Sequence, residues 1–145
     1  MTSQLKRITC ISILILLILT GCTRHKEITI RDVWGRPGIA GGNSAVYFQI
    51  INSTETDDVL RSAEFNQAEK TEIHMSSMDE NSVMTMKPQE SVEVKSGSEV
   101  DFKPGGLHVM LINLNRDLNA GDKIKINLNF EKTGTITITA VIQKP

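Results

Sequence analysis

Short segments in which apolar and polar residues alternate follow one another along most of the chain. In Lys123–Phe130 every second residue is Ile, Leu or Phe, and residues 135–142 repeat the alternation with Ile136 and Ile138 on one side. Successive side chains of a strand point to opposite faces, so a period of two lets one face be buried while the other meets water. Both segments therefore predict strands that cover a core.

The remaining strand candidates are shorter and are separated by polar or glycine-containing turns. A run that begins at Ile28 ends before Trp34, where Trp-Gly-Arg-Pro-Gly breaks the alternation. No segment has the length and the 3.6-residue period of an amphipathic helix. Many short strands with turn signals between them predict an all-β sandwich or barrel, and the scarcity of aromatic residues predicts a core of Ile, Leu and Val. The other candidates are residues 45–51, 59–63, 71–75, 91–94, 100–102 and 107–113.

The first residues have the pattern of an export signal. Two basic residues precede an apolar run over residues 8–19, which is too short for a comfortable membrane span. The run closes on Leu-Thr-Gly-Cys, which resembles a bacterial lipobox, whose cysteine is lipidated and becomes the first residue of the mature protein. We therefore expect a lipoprotein signal peptide over residues 1–21, a lipidated Cys22 with a short tether over residues 22–26, and one domain over residues 27–145.

The alternative for the leader is an uncleaved membrane anchor in which Cys22 is incidental. Both interpretations place the domain outside the cytoplasm, tethered to a bacterial membrane on the periplasmic side or at the cell surface.

Cysteine usage and charge exclude several classes of function. Cys10 and Cys22 both lie in the leader region, so the exported domain has no disulfide framework, no CxxC motif and no thiolate metal site. Removing Lys6 and Arg7 leaves fourteen of the sixteen basic side chains against seventeen acidic ones, a net charge of −3. No basic stripe is present, so nucleic acid is not expected as a partner.

Thioether and imidazole side chains are concentrated between His74 and Met110. This segment holds two of the three histidines and five of the six methionines of the chain. Thioethers are soft, polarizable donors, and soft ligands select Cu(I) over hard cations such as Mg²⁺. The concentration predicts a soft metal site that, having no thiol, cannot be lost to disulfide formation in an oxidising compartment.

The spacing of four of these residues forms a specific motif. Ten residues separate Met75 from Met86, twenty-one separate Met86 from His108, and one separates His108 from Met110. With the flanking segments VMTMKP and PGGLHVML, this pattern resembles the PCu(A)C family of periplasmic copper chaperones. The family's signature is His or Met, ten residues, Met, twenty-one residues, His, one residue, Met. The resemblance continues through LNAGDKIKINLNFEKTGTITI and covers nearly all of the chain after the leader.

The resemblance implies a cupredoxin-like Greek-key β-sandwich and an extracytoplasmic Cu(I) chaperone. It implies that Met75, Met86, His108 and Met110 bind the ion. It further implies that the acceptor is the copper centre of cytochrome c oxidase, with Sco-type proteins as co-workers.

The first ligand position stays open, because His74 stands directly beside Met75. Neighbouring residues of a strand point to opposite faces, so both can bind one ion only if the backbone bends there. Met75 satisfies the ten-residue spacing and is preferred, with His74 as the alternative. His108 and Met110 are two residues apart in a predicted strand and therefore share a face.

Two methionines lie outside the motif. Met84 is two residues before Met86, so it is expected on the same strand face, either packing or standing beside the site as an outer methionine. Met78 is expected in the loop that precedes it, from which it could pass copper inward.

Two classes of function fit an exported β-domain of this kind, and a third does not. A carrier that hands on one Cu(I) is favoured by the motif. The alternative is an Ig-like envelope lipoprotein that acts as a protein-interaction module without metal and whose methionines only pack. An enzyme is not expected, because no Ser/His/Asp constellation, phosphate loop or paired-carboxylate motif is evident.

Overall fold

The structure is a computed structural model, and it describes residues 26–78 and 83–144. Over these residues the chain forms ten strands and no helix, which confirms the all-β prediction. The strands are β1 (Ile28–Gly35), β2 (Ser44–Asn52), β3 (Asp58–Glu64), β4 (Ala68–Met78), β5 (Met84–Pro88), β6 (Val92–Val94), β7 (Glu99–Phe102), β8 (Leu107–Leu114), β9 (Lys123–Phe130) and β10 (Gly134–Ile142).

All ten strands belong to one hydrogen-bonded sheet in the order β5-β4-β8-β7-β2-β1-β10-β9-β3-β6, with a further pairing of β8 and β2. Residues from both ends of this order, such as Ile73 of β4 and Leu60 of β3, belong to a single hydrophobic core. The sheet therefore folds back on itself, so that its two halves face each other as the layers of a sandwich. In this order β5 and β6 are the edge strands.

The core has the predicted composition. The four alternate residues of β9, from Ile124 to Phe130, are all buried, as their period of two requires. The side chains with the least exposure are almost all Ile, Leu and Val, and the pair Phe48–Phe102 adds one stacked aromatic contact with ring centroids 4.3 Å apart. Close packing of these apolar side chains is the main stabilising contribution to the fold.

The first strand extends further than the sequence pattern predicts. β1 continues through Trp34 to Gly35, because a bulge at Asp32 and Val33 places two residues opposite one residue of β2. Asp32 has a positive φ of 53° at this point. The bulge brings Trp34 into register with Tyr47, and their ring centroids are 4.5 Å apart.

The leader lies outside the described residues. This holds for the predicted signal peptide, for Cys22 and for the first residues of the tether. No helix in the part of the chain that the structure describes is long and apolar enough to cross a membrane.

Asp58 is a buried carboxylate that ties the start of β3 to the turn between β9 and β10. It is 3% exposed and accepts hydrogen bonds from the backbone N–H groups of Val59, Lys132 and Thr133 at 2.7–2.9 Å. The Thr133 hydroxyl donates a fourth bond at 2.7 Å. Burial by itself raises the pKa of Asp58, but these hydrogen bonds stabilise the charged form and hold its pKa below the ordinary value.

Replacing Asp58 with Asn should lower the free energy of unfolding by about 2–3 kcal/mol at neutral pH, because the amide NH₂ group would face backbone donors. A depressed folded-state pKa gives stability that is present above the unfolded-state pKa of about 4 and is lost as the pH falls through the folded value. The difference between wild type and variant should therefore narrow in acid. Urea denaturation at neutral and acidic pH measures both effects.

Asp101→Asn is the matched control, because Asp101 is an exposed carboxylate paired with Lys103. It should change the free energy of unfolding far less than Asp58→Asn does. A stability gap for Asp58→Asn that widens as the pH falls would contradict the assignment.

Candidate metal centre

Three neighbouring strands, β5, β4 and β8, bring the sequence-predicted residues together. His74 of β4 lies directly opposite His108 of β8, and Ser76 of β4 lies opposite Met86 of β5. Residues directly opposite in an antiparallel pair project to the same face. His74, Met86 and His108 therefore share one face of the sheet, and Met110, two residues after His108, shares it too.

This face forms one wall of a cleft of about 440 Å³. Tyr47 of β2 stands next to His108, with ring centroids 6.3 Å apart, and Trp34 packs on the far side of Tyr47. Two aromatic rings therefore stand in a row beside His108, and the nearer one, Tyr47, lines the cleft. Its side-chain lining includes Tyr47, Ser76, Met84, Met86, His108 and Met110.

Met75 lies on the opposite face. Its partners in the sheet are Leu107 of β8 and Lys87 of β5, and its face is also the face of the buried Ile73. The pairing of β4 with β8 is regular from Lys70 to Met75, so no bulge changes the face to which each side chain of β4 projects. The structure thus brings His74, rather than the preferred Met75, to the side of His108 and Met110.

His108 is held in the tautomer that a metal requires. It is 4% exposed, and its Nδ1 lies 3.0 Å from the carbonyl oxygen of Gly106. A carbonyl only accepts, so Nδ1 carries the proton and Nε2 keeps a lone pair. Burial lowers the pKa of His108, the hydrogen bond to Gly106 opposes this in part, and repulsion from His74 lowers it further. The imidazole is therefore neutral at physiological pH.

His74 is held by a carboxylate. Its Nε2 lies 2.8 Å from Oε2 of Glu72, which is two residues earlier and therefore on the same face of β4. A carboxylate also only accepts, so a neutral His74 carries its proton on Nε2 and its lone pair on Nδ1. That Nδ1 is buried and has no hydrogen-bond partner. Leaving such an atom unsatisfied costs about 1–3 kcal/mol, which a bound metal would recover.

The distance between the two rings suits a shared ion. The centroids of His74 and His108 are 5.9 Å apart, with the ring planes inclined at 59°. With a metal–nitrogen bond of about 2 Å each ring centroid lies roughly 3 Å from the metal, so two imidazoles on one ion have centroids at most about 6 Å apart. The separation of the two rings is therefore within the range for two imidazoles on one ion.

The methionines of the cleft differ in exposure. Met110 is half-buried, whereas Met86 is 54% and Met84 53% exposed. Met84 lines the cleft and is not packed into the core, which supports the outer position expected for it rather than a packing role. Met78, expected in a loop, is instead the last residue of β4 and is 67% exposed.

The thioether groups on this face are donors that suit soft ions. Among the described residues, no group of three or more His, Cys, Asp or Glu side chains could hold a metal. A larger cleft of about 750 Å³ lies elsewhere, where charged and amide side chains such as Glu64, Lys125 and Arg116 surround it and its described lining has no His or Met. The Met/His face is therefore the candidate site, although it is not the largest cleft.

Sequence reasoning missed Glu72 and Tyr47. The signal for Glu72 was an acidic residue two positions before a histidine in a strand, which places both on one face. Tyr47 gave no such signal, because its position beside His108 depends on the pairing of β2 with β8. Both residues shape the site without belonging to the motif.

A family model described as "Putative lipoprotein LpqE-like" matches residues 28–142. The chain belongs to this LpqE-like family. It is 33% identical over 102 residues to "Uncharacterized protein RP573" of Rickettsia prowazekii (strain Madrid E), a match that covers 68% of this chain but only 56% of the relative's length. It is 26% identical over 155 residues to "Putative lipoprotein Lxx21020" of Leifsonia xyli subsp. xyli (strain CTCB07), covering 98% of this chain and 92% of the relative.

Solved structures share the fold of this LpqE-like protein. The "Copper-bound PCuAC domain from PmoF2" superimposes with a TM-score of 0.68 at 24% identity, covering 82% of this chain and 94% of that one. The "Solution structure of CuI-DR1885 from Deinococcus Radiodurans" gives a TM-score of 0.59 at 20% identity, covering 86% and 85%. These matches confirm the cupredoxin-like sandwich that the resemblance implied.

In the metal-free protein, ¹⁵N NMR at neutral pH should find His108 protonated at Nδ1 and His74 protonated at Nε2. The reason is that the carbonyl of Gly106 and the carboxylate of Glu72 accept hydrogen bonds and cannot donate them. Glu72→Gln should weaken the preference of His74, since an amide both donates and accepts, and should leave His108 unchanged as the internal control. A wild-type His74 that carries its proton on Nδ1 would contradict this arrangement.

Proposed function

We propose that this LpqE-like protein is an extracytoplasmic carrier of Cu(I). Its inner site, as we define it, consists of His74, Met86, His108 and Met110. The observation that supports the proposal best is the pair of opposed histidines, each with one nitrogen hydrogen-bonded to an oxygen acceptor and the other left with a lone pair. Two imidazole nitrogens and two thioethers are ligands suited to Cu(I).

The structural neighbours support copper as the cargo. The PmoF2 domain is described as copper-bound and the Deinococcus protein as Cu(I)-bound, and both share this fold. The donor set supports the oxidation state, because thioethers are soft and favour Cu(I) over harder divalent ions. An enzymatic role is not part of the proposal, since the site is accounted for by potential metal ligands and the groups that orient them.

The charge of the inner site suits transfer. The four ligands are neutral when both imidazoles are neutral, and the Glu72 carboxylate next to His74 offsets the single charge of Cu(I). A near-neutral site opening on a cleft holds the ion without strong electrostatic trapping. Thiolates are stronger, anionic ligands, so transfer to a cysteine-containing acceptor is favourable.

The proposed acceptor is the copper centre of cytochrome c oxidase, with Sco-type proteins as co-workers. This part rests on the resemblance to PCu(A)C chaperones. The proposed address is the outer face of a bacterial membrane, reached through a signal peptide and a lipid on Cys22, and the LpqE-like lipoprotein family supports an envelope location.

Replacing a ligand of the inner site should weaken Cu(I) binding, whereas replacing Met75 should not. Met86→Leu and His74→Gln should each raise the dissociation constant at least about tenfold, which corresponds to about 1.4 kcal/mol. Met75→Leu removes a thioether on the opposite face and should change it less than about twofold. Anaerobic titration against a competing chelator measures the affinity.

The titration should use the full chain with Cys10→Ser and Cys22→Ser, in detergent, because free thiols would compete for Cu(I). Loss of affinity in Met75→Leu with none in His74→Gln would restore Met75 as the first ligand. Unchanged affinity in all three folded variants would reject the inner site, and a folded wild type that binds no Cu(I) would favour the metal-free interaction module instead.

Cys22→Ser in the otherwise natural chain tests the proposed membrane localisation. If Cys22 is lipidated, the variant should lose the mass of the lipid and should be released from the membrane or left unprocessed. Fractionation and intact mass spectrometry of the mature protein measure this. A variant that stays membrane-bound with an unlipidated mature mass equal to that of the wild type would show that the lipoprotein interpretation is wrong.

A further inference from the structure

Large apolar side chains that remain exposed are few and unevenly distributed. Among the described residues they are Ile39, Met78, Val83, Met84, Met86 and Val141. Three of them are methionines of the single hairpin formed by β4 and β5. An exposed apolar cluster of this kind is typical of an interaction site, because its side chains contribute little to the packing of the core.

The register places these methionines on one face. Met78 lies directly opposite Met84, and Met86 follows Met84 by two residues, opposite Ser76. Side chains of directly opposed residues start from Cβ atoms about 4.5–5.5 Å apart, so two flexible thioethers can reach one ion between them. The same face continues inward to His74 and His108.

We propose that Met78 and Met84 form an outer capture site for Cu(I), connected to the inner site by Met86. Binding at the outer site stands on the hairpin alone, whereas passage of the ion inward rests on the proposed function. A pair of neutral thioethers selects a soft monovalent ion, and Ag(I) is its redox-inert probe. With fewer donors and no imidazole, the outer site is the weaker of the two.

Passage inward is a ligand exchange without redox chemistry. Copper held by the outer pair would gain the thioether of Met86. The bonds to Met78 and Met84 would then break as bonds to Nδ1 of His74, Nε2 of His108 and the thioether of Met110 form. Copper stays Cu(I) throughout. When both imidazoles are neutral no proton moves, because both nitrogens then carry lone pairs in the metal-free tautomers.

Methyl-¹³C methionine NMR of the cysteine-free full chain (Cys10→Ser and Cys22→Ser) in detergent, titrated with Ag(I), tests the outer site directly. The first equivalent should shift Met86 and Met110. Excess Ag(I) should then shift Met78 and Met84, while Met75 on the opposite face stays unchanged as the internal control. Excess Ag(I) that leaves Met78 and Met84 unshifted would overturn the proposal.

A variant without the inner histidines separates this proposal from the proposed function. In His74→Gln with His108→Gln, Ag(I) should still shift Met78 and Met84. That outcome supports the outer site even if the inner site proves not to bind copper. Loss of these two shifts would show that the methionines only respond to the inner site, and the outer site would be rejected.

Loading kinetics test the connection between the sites. The double variant Met78→Leu with Met84→Leu keeps apolar bulk but removes both thioethers. Stopped-flow transfer of Cu(I) from a chelator complex to this variant, and back, should slow about tenfold, whereas the dissociation constant should stay within about twofold of the wild-type value. The reason is that an entry route changes the rates of loading and release and not the stability of the loaded inner site. Met75→Leu is the control and should load at the wild-type rate. Unchanged rates, or a weakened equilibrium affinity, would contradict an entry role.

Discussion

The pairing of β4 with β8 is the constraint on which the site depends. Ile73 and Val109 lie opposite each other on the core face. Their burial determines which alternate residues of β4 and β8 face the core, and it leaves His74 opposite His108 on the outer face. A slip of one residue would send every side chain of one strand to the other face. The apolar residues of the core thus decide which potential ligands share a face with His108.

This dependence explains how far the sequence could predict the site. The alternation within β9 is strong, so its buried face follows from the sequence alone, and the two-residue spacing of His108 and Met110 gives their common face in β8. The choice between His74 and Met75 does not, because a spacing motif counts residues along the chain whereas the facing side chain is set by the partner strand. The sequence pattern indicates a break at Trp34 for a related reason, because the bulge in β1 reverses the alternation of buried and exposed residues along this strand.

The two kinds of proposed ligand differ in mobility as well as in chemistry. The histidines are at least partly buried and each has one nitrogen fixed by a hydrogen bond, whereas the thioethers of the hairpin are more than half exposed and turn about three bonds. Fixed nitrogen atoms favour a defined bound geometry, and adaptable sulfur atoms favour rapid exchange of ligands. A carrier needs both properties, because it must hold an ion and also release it.

Exposure of the hairpin methionines has a consequence for the chemical durability of the protein. Oxidants convert methionine to its sulfoxide, which replaces a soft apolar donor with a polar group. Met78 and Met84 are open to solvent, whereas Met75 and Met110 are partly covered, so peroxide reaches the hairpin first. A molecule damaged there would keep its histidine pair, yet by the proposed entry route it would acquire copper slowly. Its working lifetime would then depend on sulfoxide repair rather than on the stability of the fold.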